Sequence, residues 1–193
     1  MTERPKGAKE FQRLLQRHAA KIGQLPQRVM HLVRVGVVCA MLDDVRHDDG
    51  AHLFIVKGGT AMQLRLGIHA RATTDLDVVF RGRVEEWLDR FDAAIADRTW
   101  QGFTVTRKSE PVPIEIPGLG YRPWRVPLQI RYEGRELGST GSGVHTDPSD
   151  IATASERAGS VAATVVDDSD GTDCVRDRLL GSVVTTAADH GNR

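Results

Sequence analysis

The chain has 193 residues, its 26 Lys and Arg are matched by 26 Asp and Glu, and 40% of it is hydrophobic. That length suits one domain with at most an appendage, and the longest apolar run, residues 35–42, is far short of the ~20 residues that span a bilayer. Residues 1–11 hold no apolar leader, and the two cysteines, Cys39 and Cys174, form no CxxC pair. A reduced, cytoplasmic protein with no membrane partner is expected.

The zero net charge is a cancellation. Residues 1–138 hold 22 Lys and Arg against 17 Asp and Glu, whereas residues 139–193 hold four Arg against nine acids. All ten aromatic residues, all four Met and all five Lys also fall in the first part. Small side chains bury too little apolar surface to offset an ordering cost of about 1–2 kcal/mol per residue, so a poorly structured acidic tail is expected after Gly138. This divides the chain into a domain of residues 1–138, with N-terminal helices over 8–46 and a core over 50–138, and a tail of residues 139–193. Two origins of the tail stay open: a disordered acidic segment that shields the basic head, or an out-of-frame translation of GC-rich DNA, which would favour the same small residues.

In chain order, Phe11, Leu14, Leu15 and Ile22 recur at helical spacing and predict an amphipathic helix ending near Gly23. Pro26 suits the first turn of a second helix, whose apolar face is Val29, Val33, Val37, Ala40, Met41 and Val45, with Cys39 as a core thiol. Residues 53–56 (LFIV) form a short strand that stops at Gly58-Gly59, and Thr60 is placed to cap a helix through Leu66. Residues 75–80 predict another strand, and Val84, Trp87, Leu88, Phe91, Ala94 and Ile95 another helix, with Trp87 and Phe91 as core anchors. Extended patterns follow at 103–106, 113–116 and 126–132, where five prolines between residues 111 and 127 keep some segments at sheet edges. The fold class is α+β, helices first and a mixed sheet behind.

The chemistry sits in Lys57-Gly58-Gly59-Thr60 and in residues 71–77, RATTDLD. Alone, a Gly-Gly pair is usually a tight turn and an Asp-x-Asp usually a solvated strand face; together, in this order, they say more. Strand alternation puts Asp75 and Asp77 on one face and Leu76, Val78 and Phe80 on the other. Two neighbouring carboxylates repel unless a hard cation such as Mg²⁺ or Mn²⁺ lies between them. The Gly-Gly-Thr turn opens a helix N-terminus, which favours phosphate, and Lys57 and Arg71 supply clamping charge. Cation site, phosphate cradle and basic clamp together describe phosphoryl or nucleotidyl transfer.

The order KGGT, then R-x-T-x-D-L-D, resembles the AbiEii/AbiGii-type nucleotidyltransferase toxins, the MenT toxins among them, of the DNA-polymerase-β-like superfamily. The likeness spans about residues 25–138. It implies a nucleotidyltransferase-type sheet, nucleotide contacts at Gly58, Gly59 and Thr60, and metal binding by Asp75 and Asp77. It also implies transfer from an NTP to a nucleic-acid acceptor, tRNA for some members, and a cognate antitoxin as partner. The superfamily's third acid has two weak candidates, Glu115 and Asp147. Without it, the alternative is a catalytically inactive, truncated relative that binds antitoxin or RNA. The remaining residues carry less. No histidine pair has metal spacing, and His69 is a loop residue. Arg81, Arg83, Arg107, Lys108, Arg122, Arg125, Arg131 and Arg135 make the sheet half basic, as either a solvated surface or a track for RNA.

Overall fold

A computed structural model of the chain describes residues 4–66, 73, 75–117 and 122–146, the side chains of Arg65 and Leu66 excepted. Arg71, His69 and, of the expected tail, Asp147 and everything after it lie outside the described residues.

Helices α1 (Ala8–Lys21) and α2 (Pro26–Asp43) come first, followed by β1 (Phe54–Lys57), α3 (Gly58–Leu66) and β2 (Leu76–Phe80). A 3-10 turn at Val84–Glu86 leads into α4 (Trp87–Ile95), and β3 (Phe103–Arg107), β4 (Val112–Pro113), β5 (Trp124–Tyr132) and β6 (Arg135–His145) complete the described chain. The architecture is α+β. Pro26 occupies the first turn of α2, where its missing N–H costs no helical bond. The expected Thr60 cap is corrected: α3 starts two residues earlier, at Gly58, because that glycine adopts a φ of 65° and can turn the chain straight from β1 into the helix.

The strands form one mixed sheet in the order β1, β2, β6, β5, β3, with β4 also paired to β5. Among the described strands only the β2–β6 pair is parallel. Leu76, Val78 and Phe80 of β2, Val126, Leu128 and Ile130 of β5, and Val144 of β6 are buried toward α1, α2 and α4. In this core Phe11 of α1 stacks on Tyr132 at 4.9 Å and meets Phe103 edge-on at 5.4 Å. The Tyr132 hydroxyl donates to the Pro5 carbonyl at 2.8 Å, fastening the segment ahead of α1. Trp87 and Phe91 anchor α4 in the same core, both nearly or fully buried.

The sequence RELGSTGSGVH gives no strand signal, yet it forms β6, the longest strand of the sheet. The expected boundary at Gly138 falls inside this strand, and the described fold runs on to the buried Thr146. Propensity is overridden here by position. Flanked on both sides by β2 and β5, the backbone of β6 is paired along both edges, and its small residues admit close neighbours. Gly138, at φ 125°, lies against the Arg34 guanidinium of α2, whose Nη1 donates to the Ser139 carbonyl at 2.8 Å. Ser142 is fully buried in register with Leu76 and Val126, and its hydroxyl has no partner among the described residues.

Two outcomes follow from this topology. A chain ended after Gly138 lacks most of an interior strand, so it should give no cooperative unfolding transition in urea followed by circular dichroism. Ser142→Ala removes an unsatisfied buried hydroxyl, whose desolvation costs about 1–3 kcal/mol, and should raise the urea midpoint.

Candidate active site

Register across the sheet aligns four residues on the face opposite the helical core. Lys57 at the end of β1 lies opposite Asp77, Asp77 opposite Gly143, and Gly143 opposite Arg125. Adjacent strands are ~4.8 Å apart, so the row is compact. Asp75 stands at the bend just before β2, exposed, and Asp77 is half-buried within the strand.

The two carboxylates are brought together over the glycine face of β6. A Cβ built on Gly141 would lie 4.0 Å from Asp75 Oδ1, and one built on Gly143 would come within 2.5 Å of Asp77 Oδ1. The Gly-Gly turn closes on the same carboxylate from the other side. A Cβ on Gly58 would sit 3.3 Å from Asp77 Oδ2, and one on Gly59 would sit 3.1 Å from the Thr73 side chain. Any larger residue at these positions would fill space that the carboxylate oxygens and the turn now share.

Thr60 is 2% exposed, and its hydroxyl donates to the Asp75 carbonyl at 2.7 Å. Its side chain therefore ties α3 to the start of β2. The backbone N–H of Thr60 is one of the first four of the helix, which lack intrahelical partners, so the turn still presents main-chain donors.

Two histidines border the site. His145 Nε2 lies 3.9 Å from Asp77 Oδ1, as alternation along β6 from Gly141 and Gly143 dictates. Sequence reasoning missed it because β6 itself was not legible; once the strand is known, the same alternation finds it. His31 of α2 is hydrogen-bonded to the Thr73 backbone and feels the Asp75 charge, yet burial, with Arg34 nearby, holds its pKa below the usual histidine range. Glu115, by contrast, is exposed next to the β4 edge and paired with Arg122 at 3.1 Å, away from both aspartates. As a third carboxylate it is not brought to the site.

The family described as nucleotidyl transferase AbiEii toxin, type IV toxin–antitoxin system, matches residues 40–161. The chain belongs to the AbiEii family. No curated protein matches it. The AbiEii match takes in β1, α3 and β2 together, and it continues past Gly138 through all of β6, so family likeness does not stop where the composition changes. An AbiEii nucleotidyltransferase implies an NTP and a divalent cation. Two carboxylates above a floor without Cβ atoms offer oxygen donors and room, which fits Mg²⁺ or Mn²⁺. Among the described residues no group of three or more His, Cys, Asp or Glu is arranged to hold a metal ion.

The Thr60 tie is measurable by itself. Thr60→Val keeps the shape and loses the hydrogen bond, so it should lower stability by about 1 kcal/mol in thermal or urea unfolding, while Thr60→Ser should retain most of it.

Proposed function

We propose that this chain transfers a nucleotide from an NTP to a nucleic-acid acceptor such as tRNA, as the toxin of a type IV system held in check by a cognate antitoxin. The observation that carries the reading is the placement of both aspartates over Gly141 and Gly143, with the Gly58 turn closed against Asp77. Asp75 and Asp77 would hold Mg²⁺ or Mn²⁺, which when bound would stabilise charge on the attacking and leaving oxygens. Gly58, Gly59 and the backbone of Thr60 direct N–H groups at the β- and γ-phosphates, aided by the positive end of α3. Lys57 and Arg71 are assigned to the remaining phosphate charge. The acceptor hydroxyl oxygen bonds to the α-phosphorus, the bond from that phosphorus to the bridging oxygen breaks, pyrophosphate leaves, and the hydroxyl proton passes to solvent. NTPs and tRNA place the reaction in the cytoplasm.

A second reading rests on a specific observation. Glu115 lies past the β4 edge, paired with Arg122, so the described residues supply two carboxylates to the site and no third. An inactive relative that binds antitoxin or RNA would look the same.

Incubation with each labelled NTP, Mg²⁺ or Mn²⁺ and total tRNA separates the two. The intact chain should label RNA, and Asp77→Asn should lose more than ~100-fold in rate, since even residues that only support a metal ligand are worth about 10–100-fold. No transfer with any NTP would leave the binding module standing, and equal transfer by Asp77→Asn would remove the aspartates from the mechanism.

A further inference from the structure

A cleft of about 380 Å³ opens beside the aspartates, between α2 and strands β5 and β6. His31, Lys108, Arg125, Pro127, Ser139 and Gly141 line it. Two of its residues place it: a Cβ built on Gly141 would lie 4.0 Å from Asp75 Oδ1, and His31 is hydrogen-bonded to the Thr73 backbone, two residues before Asp75. The cleft therefore continues the aspartate site toward β5, whereas the Gly-Gly turn borders it toward β1.

The structure also sorts the eight basic residues of the sheet half. Arg83 pairs with Glu85 and Glu86, Arg107 with Asp92 and Glu110, and Arg122 with Glu115. Arg131 donates to Gln129, and Arg135 faces Tyr132 in the turn that joins β5 to β6. Arg81 lines a larger cavity, about 620 Å³, which also holds Glu85, Glu86 and the arginines paired with them. Lys108 and Arg125 are the two that enter the cleft, both exposed, and neither makes an ion pair with a described residue.

We infer that this cleft receives the acceptor nucleic acid, with Lys108 and Arg125 on its phosphate backbone near the reacting end. The inference rests on the nucleotidyl-transfer reading for its orientation. In-line displacement puts the attacking oxygen and the leaving pyrophosphate on opposite sides of the α-phosphorus. With the pyrophosphate at the Gly58-Gly59 turn, on the β1 side of Asp77, the attacking hydroxyl comes from the β6–β5 side. That side is the cleft. Arg125 sits two strands from Asp77, with Gly143 between them, a separation of roughly 10 Å at ~4.8 Å per strand, which leaves room for a terminal nucleotide between the aspartates and the first contacted phosphate. His31 and the hydroxyl of Ser139 give the cleft wall hydrogen-bonding groups, and no described acidic residue lines it, as a polyanion requires.

The test uses the full chain, a fluorescein-labelled single-stranded RNA of about a dozen mixed-sequence nucleotides, and a fluorescent ATP analogue, both read by anisotropy. The double variant Lys108→Glu with Arg125→Glu should bind the RNA at least tenfold more weakly, with a salt slope smaller by about 1.4 for two lost single-strand phosphate contacts. Its affinity for the nucleotide analogue should stay within twofold, and its unfolding temperature should match the parent, since both side chains are exposed. Arg122→Glu, a charge change of the same kind outside the cleft, should leave RNA binding within twofold. Loss of nucleotide binding with RNA binding intact would assign the cleft to the triphosphate and overturn the inference. Unchanged RNA binding, equal loss in Arg122→Glu, or an intact chain that binds no RNA would also overturn it. Failure of the transfer assay with a selective loss of RNA binding in the double variant would sink the enzymatic reading and leave the cleft as an RNA site.

Discussion

The parallel pairing of β2 with β6 fixes how closely the Asp77 carboxylate approaches a neighbouring backbone, and most of the site follows from that approach. Asp77 and Gly143 are in register, and a side chain on Gly143 would collide with the carboxylate oxygen. With no Cβ on that neighbour, Asp77 can project over β6 beside Asp75, and the Gly58 turn can close on it from β1. The helical core sets the other half of the constraint. Leu76 and Val78 are buried on the opposite face of β2, so a one-residue slip would bury both aspartates and expose those two residues. Packing on one side of the sheet thus holds the chemistry on the other.

Charge is arranged on the same plan. Of the eight basic residues in the sheet half, Arg83, Arg107 and Arg122 pair with nearby acids on the same surface, and exposed pairs of that kind contribute about 0–1 kcal/mol each. They do little for stability, but they neutralise charge at those three sites, whereas Lys108 and Arg125, in the cleft beside the carboxylates, keep theirs. The excess of positive charge over residues 1–138 is therefore not spread evenly, and where its free part lies matters more than its size.

Elements with strong apolar periodicity were legible in the sequence: α1, α2, α4 and the strands carrying Phe54, Val78 and Ile130 stand close to where residue spacing puts them. Asp75 and Asp77 were legible as a pair because alternation within one strand is a local property. β6 was not, since Gly138, Ser139, Gly141, Ser142 and Gly143 have neither strand propensity nor apolar alternation; they are a strand because β2 and β5 pair with both edges. Everything that depends on β6 was lost with it, including His145, the floor beneath the aspartates and the continuation of the described fold past Gly138. The role of Thr60 was misjudged for a related reason. A threonine after two glycines reads as a cap, and only the fold brings the Asp75 carbonyl, fifteen residues on, within 2.7 Å of its hydroxyl.

The strand that seats both aspartates is also the last described one to be made. β1, α3 and β2 can leave the ribosome and fold locally as an antiparallel pair, but β6 must then insert between β2 and β5, strands separated from each other by more than forty residues. Contacts so distant in sequence form late, after the entropy of closing the intervening loop has been met. A nascent chain interrupted anywhere before Gly143 would carry both motif aspartates and still lack the surface that aligns them. For a protein of a toxin family, vectorial synthesis itself would then serve as a safeguard, with the site assembled only once nearly all of the described fold has emerged.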